Sequence, residues 1–114
     1  MKLLITLLVT LGISMGSYGA EYVMSGNELL ADCESEGIFE SGLCYGYING
    51  FMDLQYATVR SNERAMLICI PSGVNKSQLK TLIVKDMKEH PEKLHYPAAV
   101  LVGFSLVEAY PCED

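Results

Sequence analysis

The chain has 114 residues, of which 50% are hydrophobic, and a formal charge of −6 at pH 7. This length accommodates one small domain, because domains typically contain about 100–150 residues. The acidic balance argues against a nucleic-acid-binding protein, since such binding depends on lysine and arginine side chains that neutralise phosphates. It also disfavours binding to anionic membrane surfaces, whereas a basic protein partner would be attracted to this charge.

The beginning of the chain has the pattern of a secretory signal peptide. A positive charge at Lys2 is followed by an apolar stretch from Leu3 to Ile13 and by small residues before Ala20. The apolar stretch is about half as long as the roughly 20 residues that a transmembrane helix requires. We therefore expect residues 1–20 to be removed on export, which leaves a single periplasmic domain, residues 21–114, without a membrane anchor.

The first two predicted helices follow this leader. Ser25 or Asn27 is a suitable N-cap for a short helix that runs through Cys33 and ends near Gly37. A second helix is predicted from about Ile38 to Arg60, with Cys44 and Ile48 on the side that faces the core.

The opposite side of the second helix is unusually rich in glycine. Each glycine inside a helix costs about 1 kcal/mol relative to alanine, so three of them require a compensating reason. At helical spacing, one small and polar face is formed by Gly42, Gly46, Asn49, Gly50 and Asp53. Either the last helix of the same chain packs in this groove, or the face forms a dimer or partner surface. The sequence leaves both interpretations open.

The third predicted helix has a complete start signal. Asn75 is a suitable N-cap, Gln78 completes a capping box, and Pro91 ends the helix. Pro97 then suits the first turn of a last helix that extends from Ala98 to Tyr110 and is apolar almost all round. Such a helix is expected to be buried in the domain or in a subunit interface.

The chain contains four cysteines, and an even number in an exported protein indicates two disulfides with three alternative pairings. Cys33 and Cys44 lie on either side of a tight turn between helices. The short link between the third and fourth helices predicts that these helices are antiparallel, which brings Cys69 close to Cys112. We therefore predict these two pairs, in an all-α, disulfide-bonded bundle of about four to five helices.

The sequence carries no signal for catalysis. The cysteines are better explained as disulfides than as nucleophiles, and there is no C-x-x-C pair, glycine-rich phosphate loop or G-x-S-x-G motif. The spacing of the two histidines, His90 and His95, matches no familiar zinc-binding arrangement. We expect neither an enzyme nor a bound metal or cofactor.

Five segments carry a likeness to a known family. They are Cys44–Phe51 (CYGYINGF), Cys69–Val74 (CIPSGV), Lys88–Glu92 (KEHPE), Leu94–Ala99 (LHYPAA) and Ala109–Cys112 (AYPC). Together they resemble the Rap/Tai family, periplasmic immunity proteins that protect bacteria from amidases delivered by type VI secretion. The resemblance extends over roughly residues 33–112.

This resemblance implies an all-helical and commonly dimeric domain that binds a secreted peptidoglycan amidase of the cysteine-histidine type. In such a family, a protruding loop enters the amidase cleft and excludes peptidoglycan. The catalytic residues then belong to the partner, and the immunity protein does no chemistry.

Two loops are candidates for the inhibitory element. The first is 61–67, with Asn62, Glu63 and Arg64. The second is 89–96, which presents polar and aromatic side chains on a proline-stiffened frame, namely those of His90, Glu92, Lys93, His95 and Tyr96. We favour the second, since rigidity lowers the entropy lost on binding. However, its His-Pro-Glu run belongs to the family pattern itself, so the first loop also remains a candidate for specificity.

The main alternative function is that of a small periplasmic helical binding protein, such as an acid-stress chaperone of the HdeA sort. Such a chaperone unfolds and exposes apolar surface below about pH 3, when its carboxylates become protonated. An immunity protein instead stays folded and forms a tight stoichiometric complex with one effector.

Overall fold

The computed structural model describes residues 23–62 and 67–113. These segments form four α-helices, namely α1 (Gly26–Glu34), α2 (Ile38–Ser61), α3 (Lys76–Glu89) and α4 (Ala98–Ala109), and a short 3₁₀ helix at Pro91–Lys93. The predicted all-α fold is confirmed. None of the helices in these segments has both the length and the apolarity to cross a membrane. The predicted signal peptide lies outside the described residues, as do Glu63 and Arg64 of the first candidate loop.

Reciprocal side-chain caps begin both α1 and α3. The Ser25 hydroxyl oxygen accepts from the Glu28 N–H at 3.3 Å, and a Glu28 carboxylate oxygen accepts from the Ser25 N–H at 2.8 Å. Asn75 and Gln78 form the same pair of bonds at 2.9 and 2.8 Å. Each box satisfies N–H groups that a helix start leaves without an intrahelical partner. Of the two N-caps considered for α1, Ser25 is therefore the correct one.

The first capping box makes stability dependent on pH in a definite direction. The backbone N–H and the hydroxyl of Ser25 donate to the Glu28 carboxylate, which lowers its pKa from 4.5. A carboxyl whose pKa is lower in the folded state stabilises the fold above its unfolded pKa, and this contribution is lost as the pH falls through the folded-state pKa. At pH 7, the melting temperature of the wild type should be higher than that of Glu28→Gln. This difference in melting temperature should shrink as the pH falls below 4.5.

Glu36→Gln is a suitable control for this measurement, because Glu36 is exposed in the turn after α1. A difference between wild type and Glu28→Gln that stays constant from pH 7 to pH 3 would contradict the assignment.

The hydrophobic core lies where all four helices meet. Buried apolar side chains are contributed by α1 (Leu29, Cys33), α2 (Cys44, Ile48), α3 (Leu79, Ile83, Met87) and α4 (Ala98, Leu101, Val102, Leu106). Of the two alternatives predicted for the last helix, full burial within the domain is excluded, because Val100 and Phe104 are 43% and 69% exposed. Apolar helix faces are normally covered by other protein, so the exposed side of this helix is a candidate interaction surface.

Both disulfides have the predicted pairing. Cys33–Cys44 closes the turn between α1 and α2, and Cys69–Cys112 joins the segment before α3 to the end of α4, each with a Cα–Cα distance of 4.9 Å. The second disulfide is accompanied by a backbone hydrogen bond from Cys69 N–H to Tyr110 O at 2.8 Å. The antiparallel packing of α3 and α4 explains why these two cysteines meet.

Gly26, at the start of α1, allows a close approach between this helix and the chain before α4. A Cβ atom there would lie 2.9 Å from the Leu94 carbonyl oxygen and would overlap the Leu101 side chain. Gly26→Ala is therefore expected to lower the free energy of unfolding by about 1–3 kcal/mol, as overpacked core positions do.

In the matched control, Gly42→Ala, the free energy of unfolding is expected to rise and not to fall. A Cβ at Gly42, within α2, would meet no described atom within 4 Å. Gly42→Ala should raise the free energy of unfolding by about 0.5–1 kcal/mol, because alanine loses less backbone entropy in a helix. Urea unfolding of both variants checks the pair, and a stabilised Gly26→Ala protein would show that the close approach is not real.

Candidate functional site

The second candidate loop is an ordered turn between α3 and α4, which we call the 90–97 loop. It begins where α3 ends, passes through the 3₁₀ helix at Pro91–Lys93, and closes on itself through three backbone hydrogen bonds, one of them from Leu94 N–H to Pro91 O at 3.4 Å. Lys93 N–H donates to His90 O at 3.0 Å, and Tyr96 N–H donates to Lys93 O at 2.9 Å. The backbone of the loop is thus held by its own hydrogen bonds.

The start of α1 fixes the 90–97 loop to the rest of the domain. Gly26 N–H donates to Tyr96 O and Asn27 N–H donates to Leu94 O, both at 2.9 Å, while Ala98 N–H donates to Met24 O at 2.7 Å. The first N–H groups of a helix have no partner within that helix, so α1 uses two of them to hold the loop carbonyls. The sequence does not indicate this connection, because it joins segments about 70 residues apart. The only local signal was a glycine just after the N-cap.

Four of the five predicted loop residues point to solvent. Glu92, Lys93, His95 and Tyr96 are exposed, and the rings of His95 and Tyr96 lie 4.4 Å apart between centroids. Because the main chain beneath them is fixed, these side chains form a preorganised exposed surface. A surface of this kind suits recognition of a groove in another protein.

His90 differs from the other four residues, since it takes part in the packing of the loop. Its Nδ1 atom lies 2.9 Å from Asp86 O and 3.3 Å from Asp86 Oδ1. Both of these atoms are acceptors, so we assign the ring proton to Nδ1. The other carboxylate oxygen, Asp86 Oδ2, accepts from the Ser105 hydroxyl at 2.5 Å. His90 is thereby positioned from both α3 and α4.

Of the three residues predicted in the first candidate loop, the structure describes only Asn62. Asn62 is exposed and forms the C-cap of α2, with its N–H donating to Thr58 O at 2.9 Å. It lies at the end of a long helix, away from the short α3–α4 connection in the chain.

The glycine face of α2 is open in the structure. Cβ atoms added to Gly42, Gly46 or Gly50 would meet no described atom within 4 Å. The interpretation that the last helix fills this face is therefore wrong. Instead, α4 lies beside it, since a Cβ at Gly103 would be 3.5 Å from the Phe51 ring. Of the two polar residues assigned to this face, Asn49 is half-buried and Asp53 is exposed.

The edge of this face adjoins a shallow groove, which we call the α2–α4 groove. It has a volume of about 370 Å³ and is lined by Gly46, Tyr47, Gly50, Phe51, Leu54 and Ala99. Burial raises the pKa of Tyr47. Large apolar side chains stand exposed on the same two helices, among them Leu54 at 67% and Val100 at 43%. Apolar surface of this kind on a small protein indicates an interaction site.

A second concave feature lies on the other side of α4, and the sequence did not indicate it. This α3–α4 cleft has a volume of about 290 Å³ and is lined by Asp86, Met87, His90, Lys93, Leu101, Phe104, Val107 and Glu108. It adjoins the 90–97 loop through His90 and Lys93. The pattern that could have revealed it is the i, i+4 pair of Phe104 and Glu108 on a helix that is otherwise almost wholly apolar.

The reactive side chains of the described segments are engaged or dispersed. All four cysteines are in disulfides. Within residues 23–62 and 67–113, no group of three or more histidine, cysteine or acidic side chains could hold a metal ion.

The comparisons with known proteins agree with this picture. The family model for Rap1a immunity proteins matches residues 25–112, which include all four helices and both disulfides. Searches of curated proteins and of solved structures gave no significant match. Because the family match covers most of the chain, and the helices and disulfides agree with the segments that carried the resemblance, the chain belongs to the family of Rap1a immunity proteins, which act against secreted effectors.

Proposed function

We propose that this immunity protein resides in the periplasm and blocks a peptidoglycan amidase of the cysteine-histidine type that is delivered by type VI secretion. The observation that carries the proposal is the 90–97 loop, whose carbonyls are held by the first N–H groups of α1 while Glu92, His95 and Tyr96 face solvent. A loop that is already ordered loses little conformational entropy when it enters a cleft. Two disulfides suit the oxidising periplasm.

In this proposal the protein acts by occupying space. The exposed loop side chains enter the active-site cleft of the amidase and exclude the peptide stem of peptidoglycan. The nucleophile and the general base belong to the amidase, and no side chain of the immunity protein changes its covalent state. Inhibition is therefore stoichiometric and reversible.

The test begins with the reading frames beside this gene: one that encodes a small cysteine-histidine hydrolase is expressed in the periplasm with and without the immunity protein. Cells should lyse with the amidase alone and survive when both proteins are present. With purified proteins, hydrolysis of peptidoglycan should fall linearly to zero at one binding site per amidase. Lysis while both proteins are stably present would refute the proposal. Suppression of the aggregation of unrelated proteins near pH 3 would favour the chaperone alternative instead.

We further propose that the protein is a homodimer and that the α2–α4 groove is its subunit interface. Gly46 and Gly50, which line the groove, permit a second helix to approach closely, and the exposed apolar side chains beside them supply area to bury. In a symmetric dimer the same patch serves both partners, so the protrusions of one copy can enter the groove of the other. None of the residues that line the groove belongs to the 90–97 loop, so the loop stays available to the amidase.

Gly46→Leu is expected to convert the dimer to a monomer and to leave the helical fold intact, because the new side chain points into open space in the isolated chain. Sedimentation gives the mass and circular dichroism gives the helix content. Ser77→Leu adds a similar apolar side chain at an exposed position on α3 and should leave the mass unchanged. A wild type that sediments as a monomer at all concentrations would contradict the dimer.

A further inference from the structure

The α3–α4 cleft has an apolar interior and a polar end. Its floor is formed by Met87 and Leu101, which are 2% and 7% exposed. Phe104 and Val107 form one wall, and the Phe104 ring is largely open to solvent. A cleft of this size and shape accommodates one long side chain of a partner.

The charges at the polar end favour a cation. Asp86 and Glu108 contribute two carboxylates, against the single ammonium group of Lys93. The Asp86 carboxylate is already engaged by Ser105 and His90. Within the described part of the chain, no side-chain hydrogen bond or ion pair satisfies Glu108, so its charge is available to a ligand.

His90 adds a hydrogen-bond acceptor to the same place. Its Nδ1–H is directed to Asp86, so in the neutral ring the Nε2 lone pair is the one left to a ligand. The cleft thus combines an aromatic face, an aliphatic floor, a carboxylate and an imidazole nitrogen. An acidic ligand would be repelled by the carboxylates, and a purely aliphatic ligand would leave these polar groups unused.

We propose that the α3–α4 cleft binds one arginine side chain of the amidase; this inference rests on the proposed function. The methylene groups of the arginine lie on Met87 and Leu101, the guanidinium plane stacks on Phe104, and its N–H groups donate to Glu108 and to His90 Nε2. Arginine suits the site better than lysine, because its planar head both stacks on an aromatic ring and donates in several directions. Arginine is also among the residues most often found at the energetic centre of interfaces.

The first test needs no amidase. N-acetyl-arginine amide is titrated into the isotope-labelled protein, and its neutral isostere, N-acetyl-citrulline amide, is the matched probe. The arginine probe should shift the backbone amide signals of residues 101–108 and bind about fivefold more tightly than citrulline, as an exposed ion pair allows. Equal binding of the two probes, stronger binding of N-acetyl-leucine amide, or no shift at these amides would overturn the inference.

Two substitutions of opposite expected effect sharpen this test. Glu108→Gln should weaken arginine binding to the level of citrulline, whereas Lys93→Gln should strengthen it, because Lys93 is the opposing charge at the cleft. Glu36→Gln removes one exposed carboxylate away from the cleft and should leave binding unchanged. An equal effect of Glu36→Gln and Glu108→Gln would show that only the overall charge is sensed.

The second test measures binding of the purified amidase to the same variants. Glu108→Gln should reduce the affinity about fivefold more than Glu36→Gln does. If the amidase binds the wild type and Glu108→Gln equally well, the arginine site is wrong and the proposed function stands. If the amidase does not bind the wild type, the proposed function fails, while the small-molecule titration still decides whether the cleft selects a guanidinium group.

Discussion

Replacing both Cys33 and Cys44 with alanine is expected to lower the free energy of unfolding by about 3–5 kcal/mol. The disulfide encloses a sequence separation of 11 residues, for which restriction of the unfolded chain contributes about 3 kcal/mol. The rest arises because both half-cystines are buried, and truncation removes two sulfur atoms that pack in the core. Urea unfolding at equilibrium measures the loss.

The comparison variant removes the other disulfide. Cys69→Ala with Cys112→Ala releases a longer loop, with a sequence separation of 43, so the chain-entropy contribution is about 4 kcal/mol. Its half-cystines are not part of the core, so near-UV circular dichroism of the folded form should be retained there and altered in the first variant. A Cys33/Cys44 variant within 1 kcal/mol of the wild type would refute the role assigned to the buried disulfide.

Exchange of the exposed side chains of the 90–97 loop should have the largest effect on inhibition. The triple variant Glu92→Ala, His95→Ala, Tyr96→Ala is expected to bind the amidase at least about 100-fold more weakly, as the loss of a few central interface residues at about 1 kcal/mol each implies. Its melting temperature should change little, because the loop is held by backbone carbonyls that these substitutions leave in place. Calorimetric titration and thermal unfolding give the two quantities.

The matched variant tests the first candidate loop in the same way. Asn62→Ala, Glu63→Ala, Arg64→Ala also removes three polar side chains, and we expect it to weaken amidase binding much less. If this second triple variant loses the binding and the first retains it, the inhibitory element is at 61–67 and the 90–97 loop only shapes the turn.

Features set by neighbouring residues could be predicted from the sequence. Both capping boxes depend on side chains three residues apart, so the starts of α1 and α3 follow from local chemistry. The pairing of Cys69 with Cys112 followed from a short link between two helices, which leaves few arrangements. The choice between Ser25 and Asn27 as N-cap could not be made, since either residue has the required oxygen.

Features set by packing between distant segments could not be predicted. The apolar pattern of α4 indicated burial on all sides, but a sequence pattern does not say whether the same chain or another supplies the cover. The last helix packs beside Phe51 and not on Gly46. This placement depends on how the side chains of all four helices fill the core together, which no single segment of the sequence reveals. The hydrogen bond from the Ser105 hydroxyl to the Asp86 carboxylate, which faces His90, likewise requires the register of α3 against α4.

The attachment of the 90–97 loop through main-chain atoms has a consequence for how such proteins diversify. The N–H groups of Gly26 and Asn27 hold the carbonyl groups of Tyr96 and Leu94, and carbonyl groups are the same whatever side chain a residue bears. Residues on the outer surface of the turn can therefore be exchanged without loss of its scaffold. A lineage facing a new toxin can alter recognition one amino acid at a time and retain an intact architecture throughout.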